Sequence, residues 1–157
     1  RFVLTNVGRL PNILEQLPGD RALGTTGSRV PLTFKRLAAR RMDLGLEFGA
    51  AVLGTKLIMV LGHSSCGAVN ATVAALQKGN DLPGHIADLV RAMKPGIEEE
   101  MKKAGPDLEQ RAVVANVRHN VSRLEQATPI LAEMVAKKKL RVVGAVYDLP
   151  TGKVALV

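Results

Sequence analysis

An imidazole and the chain's single thiol stand three positions apart in His63-Ser64-Ser65-Cys66. Imidazole nitrogen and thiolate sulfur are donors that zinc accepts, and a catalytic zinc takes about three protein ligands while leaving one position for water. The pair follows the apolar run Leu57-Ile58-Met59-Val60-Leu61-Gly62 and leads into Gly67-Ala68-Val69-Asn70-Ala71. It therefore sits where a strand ends and a helix begins, the place where α/β proteins gather ligands. The same spacing also arises without a metal, with Cys66 a small buried hydrophobe and His63 a hydrogen-bonding loop residue. Asp20 and Asp43 offer oxygen, and His85 and His119 nitrogen, as a third donor. Each has an ordinary alternative as a surface carboxylate, a cap or part of a polar helix face.

The elements that must position the pair follow from apolar periodicity and turn residues. Phe2-Val3-Leu4 reads as a short strand, and Pro11, Pro18-Gly19 and the stretch from Gly24 to Gly27 as turns or loop. A helical pattern covers Leu32 to Met42. Leu44, Phe48, Ala51 and Val52 then mark one face of a helix that Gly54 ends. A strand over Leu57 to Leu61 precedes the His/Cys turn, and a helix from Gly67 to Gln77 stops at Lys78-Gly79-Asn80. Pro83, Pro95 and Pro106 divide the next stretch, which predicts short helices over Ile86 to Met93 and Ile97 to Lys103. A longer helix from Asp107 to Ala127 buries Val113, Val117, Val121 and Leu124, with Asp107 as its N-cap. Pro129 falls in the first turn of another helix, capped by Thr128. Leu140 to Tyr147 is a buried strand, and the turn from Asp148 to Gly152 returns it as the strand Lys153 to Val157. Strands separated by helices predict an α/β fold, with a mainly parallel central sheet flanked by helices and an antiparallel edge hairpin at the C-terminus.

Composition bounds the class. A chain of 157 residues with 46% hydrophobic content suits one domain with a real core. Its longest apolar runs fall far short of the roughly 20 residues that span a bilayer, so a soluble protein with no membrane partner is expected. One cysteine excludes an internal disulfide and points to a reducing compartment, the cytoplasm or an organellar stroma or matrix. No signal-peptide pattern is present, and a start at Arg1 rather than Met is consistent with a removed initiator or targeting segment. The net charge is +8, and residues 1–41 carry eight Lys or Arg against Glu15 and Asp20. Only Phe2 and Phe34 could stack on bases there, so solvated helix faces account for this charge better than nucleic-acid binding. Thr151-Gly152-Lys153 is a hairpin turn rather than a phosphate loop. Glu98-Glu99-Glu100 with Lys102-Lys103 is a solvated, ion-paired helix.

The stretch from Leu57 to Val69 resembles the signature of the β-class carbonic anhydrases, in which a strand ends in Gly-His-x-x-Cys-Gly-Ala. The similarity extends upstream to Leu46 and downstream, in family order, through Ala115 to Val121, Thr128-Pro129-Ile130-Leu131, and Val142 to Val154. The resemblance implies a β-carbonic-anhydrase-like fold over residues 1–157. It also implies zinc (Zn2+), reversible hydration of carbon dioxide to bicarbonate, and a homodimer or higher homo-oligomer with a large apolar interface. It makes His63 and Cys66 metal ligands. A further Cys is implied from a Cys-x-Asp-x-Arg segment, whose Asp-Arg pair orients the reacting oxygen beside the metal. The nearest match is Thr25-Thr26-Gly27-Ser28-Arg29-Val30-Pro31, which puts Arg29 in the place of the catalytic dyad arginine. Thr25 stands where the Cys belongs and Gly27 where the Asp belongs. The segment is also closer to His63 than the family spacing, and the strand candidate Phe2 to Gly8 precedes it instead of following it. Residues 1–42 are thus divergent, rearranged or incompletely represented. Two functions remain open: carbonate dehydratase, or a catalytically impaired relative with a structural or interaction role.

Overall fold

The computed structural model describes the backbone of residues 2–6 and, in full, residues 44–79 and 82–157. The turns and helix expected between Pro11 and Met42, together with Asp20, Arg29 and Asp43, lie outside the described residues.

Four strands form one sheet in the order β1-β2-β3-β4: β1 is Phe2–Asn6, β2 Leu57–His63, β3 Arg141–Tyr147 and β4 Val154–Leu156. β1, β2 and β3 run parallel, and β4 pairs antiparallel with β3. The mainly parallel sheet with an antiparallel C-terminal edge is the architecture the alternation of patterns predicts. Five helices accompany it among the described residues. The described part of α1 spans 44–51; α2 is Gly67–Lys78, α3 Gly84–Met101, α4 Leu108–Glu125 and α5 Ile130–Ala136. None is long and apolar enough to cross a membrane.

β2 alternates, with Ile58 and Val60 fully buried and Leu57, Met59 and Leu61 partly covered. The parallel register sets Val60 beside Gly144 and Gly62 beside Val146, so Ile58, Val60 and Gly62 share a face with Val142, Gly144 and Val146. α4 lies across that face. A Cβ at Gly62 would stand 2.7 Å from Val117 Cγ2 and 3.1 Å from Val113 Cγ1, and one at Gly144 would stand 2.8 Å from Val117 Cγ1. The absent side chains let a ridge of branched residues seat directly on the backbone of the two central strands.

Two apolar clusters flank this contact. One joins Leu46 and Ala50 of α1 to Ile58, Val60, Val117, Leu124, Leu131 and Val142. The other lies beside the His/Cys turn and joins Cys66, Val69 and Val73 to Met93 and Ile97 of α3 and to Val113 of α4. Arg111 ties the connection between α3 and α4. Its Nε donates to Glu100 Oε1 at 3.0 Å, its Nη2 to the Lys103 carbonyl at 3.2 Å, and its Nη1 to the Pro106 carbonyl.

Several local expectations are corrected. Residues 84–101 form one helix that runs through Pro95 rather than two short helices. Proline removes one helical hydrogen bond, but burial of Met93 and Ile97 on either side compensates. The neighbouring Gly96 also admits α4 so closely that a Cβ there would be 2.9 Å from His119 Cβ. Asp107 occupies the N-cap position of α4 but has φ 56° and makes no capping bond from its side chain. α5 begins at Ile130, with Pro129 rather than Thr128 at its N-cap. Val121 is only partly buried. Leu44 and Phe48 of α1, with Val52 just past its end, point outward, at 63%, 51% and 64% exposure, while Leu46 and Ala50 are buried.

Adding one methyl group should test the seat of α4. Gly62→Ala is expected to lower stability by about 1–3 kcal/mol through overpacking against Val117, measured by urea unfolding. Gly45→Ala, where nothing lies within 4 Å of the added carbon, should be neutral or stabilising by up to about 1 kcal/mol.

Candidate metal centre

β2 delivers His63 as its last residue, paired in register with Tyr147 at the end of β3. The turn that follows is tied to the neighbouring strand and its hairpin. The Ser64 N–H donates to the Tyr147 carbonyl at 2.9 Å, and the Leu149 N–H donates to Ser64 Oγ at 2.9 Å. Ser65 takes φ 53°, the left-handed conformation that turns the chain sharply. Cys66 then occupies the N-cap of α2, with φ −68° and ψ 109°. A sharp reversal between strand and helix thus brings two side chains three residues apart onto one site.

His63 Nδ1 lies 3.0 Å from the Ser64 carbonyl oxygen. A carbonyl only accepts, so Nδ1 carries the proton and the lone pair of the neutral ring is on Nε2. This backbone hydrogen bond is the usual device that fixes the tautomer of a metal-binding histidine. Cys66 is 5% exposed. It stands at the N-terminus of α2, as that helix's N-cap residue.

His63 and Cys66 line one small cavity of about 10 Å³, together with Gly62, Val69, Met93, Val113, Asn116 and Val117. That is about the space of one water molecule. Asn116 is the other polar side chain of the lining and is 2% exposed. Asn120 Nδ2 donates to the Asn116 carbonyl at 2.8 Å and to its Oδ1 at 3.2 Å. One turn beyond Cys66, Asn70 Oδ1 is buried with no hydrogen-bond partner among the described residues.

The other sequence candidates do not join the pair. His85 is on the surface, with its side chain 77% exposed and Nδ1 3.4 Å from Asp88 Oδ2. His119 is partly buried under Gly96 where α3 crosses α4. Among the described residues no group of three His, Cys, Asp or Glu could hold a metal ion. The pair offers an imidazole nitrogen and a cysteine sulfur, donor types that zinc accepts, but is two donors where a catalytic zinc takes about three. Asn116 and Ser64 are the contributors that motif spacing did not single out. The signal for Asn116 was an amide in the apolar stripe Val113, Asn116, Val117 of α4; for Ser64 there was none, because its partner is 85 residues away.

A parallel α/β sheet with a His/Cys turn at the carboxyl end of its central strand defines the class. The family model described as carbonic anhydrase matches residues 13–154, and the chain belongs to the β-carbonic anhydrase family. It is 35% identical over 111 residues to the carbonic anhydrase of Mycolicibacterium smegmatis, a match covering 71% of this chain and 53% of that protein. The chain thus spans about half the length of the curated relatives it matches. Among solved structures, the Coccomyxa β-carbonic anhydrase in complex with acetazolamide aligns with a TM-score of 0.61 and 26% identity, over 73% of this chain and 52% of that one. The tetrameric β-carbonic anhydrases of Sordaria macrospora share the fold, with a TM-score of 0.62 at 19% identity over 99% of this chain and 79% of theirs.

Removing the hydroxyl that holds the turn should be visible locally. In Ser64→Ala the Leu149 amide loses its acceptor, a bond of about 0.5–1.5 kcal/mol. Hydrogen exchange at that amide is expected to quicken by roughly 2- to 10-fold, with β2 and β3 unchanged.

Proposed function

We propose that the chain serves the reversible hydration of carbon dioxide to bicarbonate, with His63 Nε2 and Cys66 Sγ as two protein ligands of a zinc ion. The observation that carries this reading is the bond from His63 Nδ1–H to the Ser64 carbonyl. It leaves Nε2 as the donor nitrogen of a histidine that lines the same cavity as a cysteine at a helix N-terminus. Bound zinc supplies a Lewis acid that lowers the pKa of water toward neutrality, and carbonic anhydrase is the type case of that chemistry.

The chain's own residues then have assignable parts. Ser64, bridged to the Tyr147 carbonyl and the Leu149 amide, fixes the turn so that the imidazole and thiolate keep their relative position. Val69, Met93, Val113 and Val117 shield the inner side of the pair from solvent, which strengthens its electrostatic interactions. Arg29 is the proposed dyad arginine, which would hold a carboxylate beside the reacting oxygen. The remaining metal donors come from outside the described residues. A second thiolate is not available within these 157 residues, because Cys66 is the single cysteine.

That shortage favours a second reading, an impaired site in a protein with a structural or interaction role. Zinc content and the rate of CO₂ hydration, measured on the same sample, separate the two. Close to one zinc per chain and a rate above buffer, both lost in Cys66→Ser, are expected for the enzyme. A metal-free chain with no rate above buffer supports the impaired site.

We also propose that the chain assembles with copies of itself through the outward face of α1. Leu44, Phe48 and Val52 are all more than half exposed and recur every four residues, the ridge spacing by which helices pack on one another. A helix that is apolar on both faces is one that is buried on both. Light scattering should show an oligomer for the wild type and a smaller species for Phe48→Glu.

A further inference from the structure

We propose that the groove between the end of α1 and the end of α5 docks an acidic peptide segment of a partner protein. Lys56, Lys138 and Lys139 would pair with its carboxylates, and Ile130 and Met134 would receive an aliphatic side chain. This proposal stands apart from the zinc reading, because Lys56 precedes β2 whereas His63 ends it. Seven strand residues, or roughly 20 Å, separate the two ends. A bound segment would therefore leave the His/Cys cavity open.

The groove has a volume of about 660 Å³ and an apolar floor that includes Ala50, Ala51, Ile130 and Met134. Four lysines line it, at positions 56, 137, 138 and 139, against one carboxylate, Glu133. Glu133 is committed to Lys137, one helical turn away, by an ion pair. The hydrogen bond and the charge of that lysine, with a smaller contribution from the charge of Lys139, hold its carboxyl below the usual carboxylate range. Lys56, Lys138 and Lys139 have no ion-pair partner among the described residues, which leaves three positive charges around an apolar floor.

The backbone supplies a second, independent observation. Lys138 has φ 55°, a conformation that follows many helices but is ordinarily filled by glycine or asparagine. A long side chain is strained there. The carbonyl end of α5 attracts positive charge, yet Lys137 already stands there as the C-cap residue. A strained position that retains a charge its helix does not require is what a binding surface accounts for.

The chemistry of the groove selects a peptide over a compact phosphate or a nucleic acid. The N–H groups of Lys137, Lys138, Lys139 and Leu140 all donate to carbonyls of the preceding helix, so none is left to cradle a phosphate. Lysines present flexible point charges rather than the bidentate fork of arginine. No aromatic side chain lines the groove for base stacking. Spaced carboxylates with an aliphatic residue between them match both the rim and the floor.

The test uses a fluorescein-labelled (Glu-Glu-Leu)3 peptide, its Gln-Gln-Leu counterpart and a thymidine 12-mer, each titrated with the full chain at low salt and read by anisotropy. The acidic peptide is expected to bind saturably, and the glutamine peptide not to bind. The Lys138→Glu/Lys139→Glu double variant should weaken the acidic peptide by about tenfold or more, as two attractive pairs become repulsive. Lys138→Gly should raise the melting temperature while weakening peptide binding, a pair of opposite effects that a purely structural lysine would not produce. The proposal is overturned by an absence of saturable binding, or by a double variant that binds as the wild type does. It is equally overturned by Lys138→Gly with unchanged affinity. Oligonucleotide binding as tight as the peptide's, lost in the same variant, would show a general basic surface and also reject it.

Discussion

The close approach of α4 to the backbone of β2 and β3 is the contact on which the molecule depends. Gly62 and Gly144 leave no side chain between the strands and the valines of the helix, and Val117 meets both glycines at once. Because β2 continues one residue past Gly62 into His63, the contact that seats the helix also locates the imidazole. Asn116, adjacent to Val117, is carried by the same helix into the cavity beside Cys66. Packing and site geometry are thus one constraint: a shift of α4 on the sheet moves the walls of the pocket with it.

The His/Cys turn is held from the other side by hydrogen bonds rather than by packing. Ser64 bonds through its N–H to the end of β3 and through its hydroxyl to the hairpin that leads into β4. The antiparallel edge strand, remote in sequence, therefore contributes to the rigidity of the candidate centre. Hydrogen bonds of this kind help to fix the orientation of the two donor side chains. What the described residues present is a well-held pair of donors at one small cavity.

Much of the fold was legible because its signals are local. The run from Leu57 to Leu61, the Gly79 stop of α2 and the Asp148 to Gly152 turn each depend on a few adjacent residues, and each lies where pattern placed it. The failures have a common cause. Pro95 argues for a break, but Gly96 and the burial of Met93 and Ile97 hold one continuous helix through contacts with α4 that no local window contains. In α1 the periodicity located a helix, yet both of its faces are apolar. Which one meets the core is decided by the fit of Leu46 and Ala50 against Ile58 and Leu131.

The family, the strand-turn-helix around His63 and Cys66, and the chemical character of that pair were determined by the sequence alone, because motif order and residue type survive without coordinates. Tertiary structure decided which nitrogen of His63 is available, that Asn116 shares its cavity, that neither His85 nor His119 reaches the pair, and that lysines from two distant segments meet over one apolar floor. Those outcomes depend on distances between residues far apart along the chain. Such distances are set when the helices settle onto the sheet, and no property of an isolated segment encodes them.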